Sequence, residues 1–282
     1  MENILEARVI PLKWCEELLG FDISKDGTKA YIAERDGLKM LNISDPTDTY
    51  QVGGYFYTDG IANNVTVSKD GTKAYIADDS NGVVVVDISD KNKLSVISNI
   101  EMRNTEDIAL SEDENTLVSV GTTEELVSHL TIFDVSDPAK PTKLGEYKIG
   151  NSAYSVELSK DVTKAYLARF GSLVIVDISD LSKPTKVGEL EIKDDSFVSV
   201  GCIFGIAISK DETKAYIATS DIGILVVDIS DPSKPTKISE HTDFQYCCSI
   251  KLDEDGTKIY VAGFDDDEWN SFIAMFDIDK EN

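Results

Sequence analysis

Two patterns of apolar positions alternate along the chain. In the first, apolar residues fall at every second position over a few residues, and a polar turn then leads into a denser apolar segment. Residues 24–33 (SKDGTKAYIA) carry that turn and segment, and the signature returns from Ser68, more loosely from Ser111, and from Ser159, Ser209 and Asp253. In the second, an unbroken apolar run ends in a carboxylate or amide, at Asn42, Asp87, Asp134, Asp177, Asp228 and Asp277. Residues 172–191 (SLVIVDISDLSKPTKVGELE) show it most clearly. A continuous run such as Leu173 to Val176 suits a strand buried on both faces, and the alternating stretch after the Ser/Asp/Pro turn suits a half-exposed edge strand.

Successive copies begin 43 to 50 residues apart, the period of a four-stranded propeller blade. Each copy parses into a short alternating strand A (Phe21 and Ile23, Val65 and Val67, Ile108 and Leu110, Val156 and Leu158, Ile206 and Ile208, Ile250 and Leu252), strand B in the KAYIA-like segment, strand C in the apolar run, and an outer strand D. The pattern therefore predicts an all-β, six-bladed β-propeller of four-stranded blades, a single domain over residues 1–282. Asp26-Gly27, Asp70-Gly71 and Asp255-Gly256 suit tight A to B turns, because glycine tolerates positive φ. Glu114, Val162 and Glu212 stand where glycine would, so those three turns are expected to differ in detail. The sixth copy stops after strand C, while residues 4–12 resemble a strand D with no blade of their own. They are expected to pair with residues 272–277, close the ring and leave no central edge open.

The run Leu173 to Asp177 with the following Ile-Ser-Asp and Lys183-Pro184, the stretch Val226 to Pro232, and the stretch Ile132 to Pro138 together resemble the LVIVD-repeat family of β-propellers. The resemblance covers essentially the whole chain. It implies the propeller architecture and a loose expectation of binding or cell-surface roles, and it brings no shared catalytic motif. Units one and three depart most: Lys39 breaks the apolar run of the first, and Leu117 to Val120 replaces the Ala-Tyr-Ile-Ala segment in the third.

Charge narrows the partners. With 27 Lys and Arg against 52 Asp and Glu, the 282-residue chain carries a formal −25 at pH 7, which disfavours nucleic acid and anionic membrane surfaces and favours cations, basic peptides or simple solubility. No apolar run approaches the ~18 residues of a membrane span, so membrane insertion is not expected. The N-terminus lacks the pattern of a secretory leader, and four cysteines are too few for a disulfide scaffold. Both favour a cytoplasmic location unless a signal peptide has been removed.

Propeller geometry puts A to B and C to D turns on one face and B to C and D to A loops on the other. Most lysines fall on the first face, and acid with little balancing charge on the second. There Asp36, Asp78, Asp79, Asp221, Asp265 and Asp266 join Glu106 and Asp107, and aromatic residues Tyr154, Phe170, Tyr246 and Trp269 fall in the same loops. Acid beside exposed rings is what a binder of cationic groups uses, so this face is expected to form the functional mouth of a non-enzymatic module for a basic peptide, protein segment or cationic ligand. The plainer alternative is a solvated surface with rings packed beneath the loops.

Two further clusters suggest chemistry. Cys15, Cys202, Cys247 and Cys248 fall in the D to A loops of units one, five and six, neighbours in a closed ring; a thiol or soft-metal site and inert packing both fit. Asn63, Asn64, Glu106 and Asp107 occupy equivalent positions in units two and three, where oxygen ligands could hold calcium as in six-bladed lactonase-type hydrolases, an analogy of position. No cofactor is expected outside that reading. Deeper in strand A, Asp22, Thr66, Glu157 and Lys251 interrupt the apolar alternation, and Lys251 is expected to pair with Asp22 across the channel wall. His129 and His241 have no evident nucleophile partner, and no phosphate-binding glycine loop is present, which argues against triad catalysis and nucleotide hydrolysis.

Overall fold

Short alternation, a tight turn and a continuous apolar run produce the same antiparallel meander in copy after copy. In the computed structural model, which describes residues 8–12, 18–122, 127–192, 203–219, 223–242, 247–264 and 271–278, blade four shows the unit most simply. Its strands A to D are Ala153–Leu158, Lys164–Arg169, Ser172–Asp177 and Thr185–Glu191, with Leu158 opposite Ala165, Tyr166 opposite Ile175 and Val174 opposite Glu189. Strands B and C are buried on both faces between neighbouring blades, which is why they read as continuous apolar runs; strand D is half exposed and alternates.

The inner strands of the six blades are Leu18–Ile23, Asn64–Val67, Thr105–Leu110, Ala153–Leu158, Ile203–Ile208 and Cys247–Leu252. Each touches the inner strand of the next blade, and the last touches the first, so the six blades form a closed ring around an axis. The ring is fastened as the sequence predicts. Arg8–Pro11 is the outer strand of blade six, antiparallel to Ser271–Asp277, with Arg8 opposite Met275 and Ile10 opposite Ile273. The Leu12 amide extends the pairing by donating to the Ser271 carbonyl at 3.1 Å, and Ile10 and Leu12 are buried with Phe21, Ile32 and Tyr260 of the flanking blades. Pro11 fits because the outermost edge needs no further donor. Residues 4–7 of the predicted closing segment lie outside the described residues.

The recurrent serine and aspartate build the A to B turn. In blade one the Ser24 hydroxyl donates to Asp26 at 2.6 Å, Asp26 accepts from the amide and hydroxyl of Thr28, and the Lys29 amide returns to the Ser24 oxygen at 2.9 Å. The same scheme recurs at Ser68, Ser111, Ser159 and Ser209; in blade six the Asp253 carboxylate itself takes the place of the serine hydroxyl.

The expected difference between glycine and non-glycine turns does not occur. Gly27, Gly71 and Gly256 have φ of 67°, 66° and 64°, and Glu114, Val162 and Glu212 follow at 59°, 58° and 57°, a strained choice for a side chain, most of all for a β-branched one. Neighbouring blades supply the reason. The buried strand B tyrosine of one blade reaches the turn of the next: a side chain on Gly71 would meet the Tyr31 hydroxyl, and one on Gly27 the Tyr260 hydroxyl. Glu114 and Glu212 reach back instead, accepting hydrogen bonds from the amides of Lys69 and Lys160 in the preceding blades. Blade three alone has no such tyrosine, carrying Val118, and Val162 of blade four packs against the cluster that contains Val118. The two departures from the repeat are thus complementary.

Blade one is irregular in its outer strand, which is split into Tyr50–Gln51 and Phe56–Tyr57, both paired with Gly37–Asn42. Lys39, the residue that interrupts the apolar run, is buried against Glu34, with its ammonium over the Tyr55 ring.

Two outcomes follow from this packing. Ile10→Ala should lower unfolding free energy by about 2–5 kcal/mol in urea titrations, whereas Val9→Ala, at the half-exposed neighbouring position, should change it little. Val118→Tyr should destabilise by about 1–3 kcal/mol by overpacking against Val162, and Val162→Gly in the same chain should recover most of that loss.

Candidate functional site

The inner strands run toward the A to B turns, and around the axis they enclose a cavity of about 890 Å³ that opens on that face. Small-molecule sites commonly measure ~300–1,000 Å³. The rim is made by the turns of all six blades, with Lys25, Lys69, Lys160 and Lys210 interleaved with Glu112 and Glu254. Lys25 pairs with Glu254 at 3.1 Å and Lys69 with Glu112 at 3.6 Å, joining adjacent blades. Below the rim lies an aliphatic collar of one residue per blade: Ile23, Val67, Leu110, Leu158, Ile208 and Leu252. One residue further back along each strand comes a mixed layer, in ring order Asp22, Thr66, Ala109, Glu157, Ala207 and Lys251. Two residues deeper the channel is closed by Gly20, Asn64, Asp107, Ser155, Gly205 and Ser249. The polar members of that floor are buried, and the strands approach so closely that a Cβ on Gly20 would lie 2.4 Å from the Asn64 amide oxygen.

Which charges are already committed is a question of backbone. An inner strand has one hydrogen-bonded neighbour, so part of its other edge looks for partners in the channel. Asp107 supplies them in the floor: it accepts from Asn64, from the Ser155 hydroxyl, from its own Ile108 amide at 2.7 Å and from the Val156 amide of blade four at 2.9 Å. Asp22 does the same one layer up, accepting from the Val67 amide of blade two and its own Ile23 amide, both at 2.8 Å. Glu157 is different. One of its oxygens accepts from its own Leu158 amide at 3.0 Å, and the other accepts no hydrogen bond from the described residues.

Lys251 forms no hydrogen bond or salt bridge with the described residues, so the expected pair with Asp22 does not close. Glu157, Asp22 and Asp107 nevertheless act on it at longer range, and their field holds its pKa above the ordinary lysine value against the opposing effect of burial. Burial in turn raises the pKa of all three carboxylates, an effect that Lys251 offsets in part.

The mouth anticipated from sequence lies on the opposite face, and none of its described members lines the cavity wall, although Asp107 belongs to the layer that closes its floor. Asp36 is exposed, and its carbonyl accepts from Thr58. Asp78 is buried and joins loops, accepting from the Gly60 amide at 3.2 Å and the Asn81 side chain at 2.8 Å. The Asp79 carbonyl accepts from the Thr105 amide. Glu106 sits at a β-bulge, its pKa raised to about 7 by burial and by the nearby Asp79 and Asp107. Tyr154 contacts Phe204 of the next blade with ring centroids 6.0 Å apart, and Phe170 is exposed. Asp221, Tyr246, Asp265, Asp266 and Trp269 lie outside the described residues.

The oxygen cluster does converge, but on itself. Asn63 donates to the Thr105 carbonyl, Asn64 donates to Asp107 and accepts from its own neighbour Val65, and both Asp107 oxygens face donors. Among the described residues no three His, Cys, Asp or Glu side chains are arranged to hold a metal ion. Burial pushes the pKa of the Cys247 and Cys248 thiols up to about 12, and Cys248 packs at the seam, its sulfur 3.7 Å from the Leu18 carbonyl of blade one. Such thiols are unreactive at neutral pH. Cys15 and Cys202 lie outside the described residues.

Six four-stranded blades closed around an axial well define a six-bladed β-propeller. The chain belongs to the LVIVD repeat family, whose model matches residues 22–56, 59–101, 127–149, 152–191 and 208–243. Similar solved structures include hydrazine synthase of Kuenenia stuttgartiensis (TM-score 0.71, 14% identity, 86% of this chain and 80% of that one). A protein from Lactobacillus plantarum has a TM-score of 0.70 at 13% identity over 93% of this chain and 84% of its own. The Cps50 (Swd1) β-propeller domain of Myceliophteria thermophila has a TM-score of 0.70 at 9% identity over 98% and 99%. At these identities the likeness is one of fold. No curated protein matches the chain. The propeller and its repeats support a binding or interaction role.

The carboxylates give stability a two-sided pH dependence. Asp26 and Asp70 are held at about 2 by serine and threonine donors, so the stability they contribute is present above the unfolded value of 3.8 and is lost as pH falls toward 2. Glu106, raised from 4.5 to about 7, binds its proton more tightly when folded, so its contribution is present below 4.5 and is lost as pH rises through 7. Melting temperature should therefore peak at about pH 4–5 and fall on both sides, and Glu106→Gln should flatten the alkaline limb.

Proposed function

We propose that this propeller is a non-enzymatic binding module whose axial well takes a small ligand through a positively charged nitrogen. The observation that carries this reading is Glu157: a carboxylate deep in the well, with one oxygen free of backbone duty, at a position where the two flanking blades carry alanine. Features shared by all copies, such as the serine and aspartate turns, serve the scaffold, and the single-copy carboxylates Asp22 and Asp107 accept amides from neighbouring blades; Glu157 accepts only from its own strand among the described residues. The mixed layer and floor hold three carboxylates against one ammonium, and their field favours a cation. The buried floor favours a small ligand over a threaded peptide.

Calorimetric titration of a panel of primary and quaternary amines and their carboxylated relatives tests this. At least one compound with a positive nitrogen should bind, and Glu157→Gln should weaken it about tenfold or more, the value of a charge-assisted hydrogen bond. No binding across the panel at millimolar concentration, or binding indifferent to the substitution, would overturn the reading.

A further inference from the structure

The well holds a second charge that no described residue engages by hydrogen bond or salt bridge, and it has the opposite sign. Lys251 extends from the inner strand of blade six into the layer that contains Glu157 of blade four, and only Ala207 of blade five separates them around the ring. Neither charge is satisfied by the other: they interact at long range but form no salt bridge. A lysine that only neutralised the channel would be expected to close onto a carboxylate, because buried charge is costly unless paired and hydrogen-bonded. Here the alanine stands between an ammonium whose donors meet no partner among the described residues and a carboxylate one of whose oxygens meets none either. On the mouth side of this layer the aliphatic collar offers apolar contact, and beyond it the rim interleaves lysines with carboxylates.

We propose that the well is selective for zwitterions of the α-amino acid type, with the ligand ammonium on Glu157, the ligand carboxylate on Lys251 and an aliphatic or aromatic side chain rising through the collar of Ile23, Val67, Leu110 and Leu158. This rests on the reading of the well as a site for positive nitrogen and adds the anionic half. The dipole of the ligand replaces, with short hydrogen bonds, the long-range interaction between Lys251 and Glu157.

The test compares matched pairs on the unmodified protein by calorimetry: leucine against isopentylamine, phenylalanine against phenethylamine and lysine against cadaverine. The amino acid of at least one pair should bind about tenfold or more tightly than its amine, the value of one charge-assisted hydrogen bond in a desolvated site. In Lys251→Met, checked for native folding by its melting curve, the preference should vanish through loss of amino acid affinity while amine affinity holds or improves. Equal binding of acid and amine by the unmodified protein would overturn this proposal and leave the cation site standing. Failure of every compound would overturn both. A preference that survives Lys251→Met would also overturn it, by placing the carboxylate partner elsewhere; if that variant does not fold, the matched-pair comparison on the unmodified protein decides alone.

Discussion

The inner edge of each blade is the constraint on which the rest of the molecule depends. A four-stranded blade in a ring leaves one strand per copy facing the axis with amide groups that no fifth strand will meet, and an unpaired buried amide costs about as much as a lost hydrogen bond. This protein meets the cost with side chains. Asp22 ties blade one to the Val67 amide of blade two, and Asp107 ties blade three to Asn64 on one side and to the Val156 amide on the other. Polar residues in the middle of otherwise apolar strands are thus part of ring closure. The same contacts that join the blades plug the channel at the Asn64 and Asp107 layer, and a tube sealed there becomes a well open toward the A to B turns.

Much of the fold was legible because its cause is periodic. Period, strand order, turn chemistry and the closing strand all follow from residues that recur or, in the case of Ile10 and Leu12, from residues that resemble a missing copy. Where the repeat breaks, single copies mislead. Val162 reads as a turn that must differ, whereas it is the same turn filling the space left by a tyrosine that blade three lacks. That compensation lies in pairs of adjacent blades, between positions 44 residues apart in the chain, and neither position shows it alone.

The residues of the well were legible as interruptions of strand A, read from sequence as a structural pairing, and illegible as a geometry. Asp22, Thr66, Glu157 and Lys251 stand out in sequence because they interrupt strand A, and all four line the well. Their division into structural and available groups does not show, because it turns on amides donated by other blades: Asp22 and Glu157 look alike in sequence, yet only the first accepts from a neighbouring blade. The position of the cavity was not legible for a related reason. Counting acidic residues per loop favours the B to C and D to A side, but Asp78 there is buried in loop contacts, and the open end of the well depends on which layer of inner-strand residues is buried.

Surface charge and interior charge then divide the work. Many of the aspartates behind the net −25 are turn staples: Asp87, Asp177 and Asp228 each accept from a serine two residues on, and hydrogen bonding holds their pKa below the usual carboxylate range. Charges of that kind recur in nearly every blade and cancel out of any argument about specificity. What remains is the pair that the repeat does not generate and no described neighbour engages, Glu157 and Lys251, set at the inner end of the axial well. Two alanines flank Glu157 and keep the space around it open, and a scaffold that needed only neutrality would have filled it.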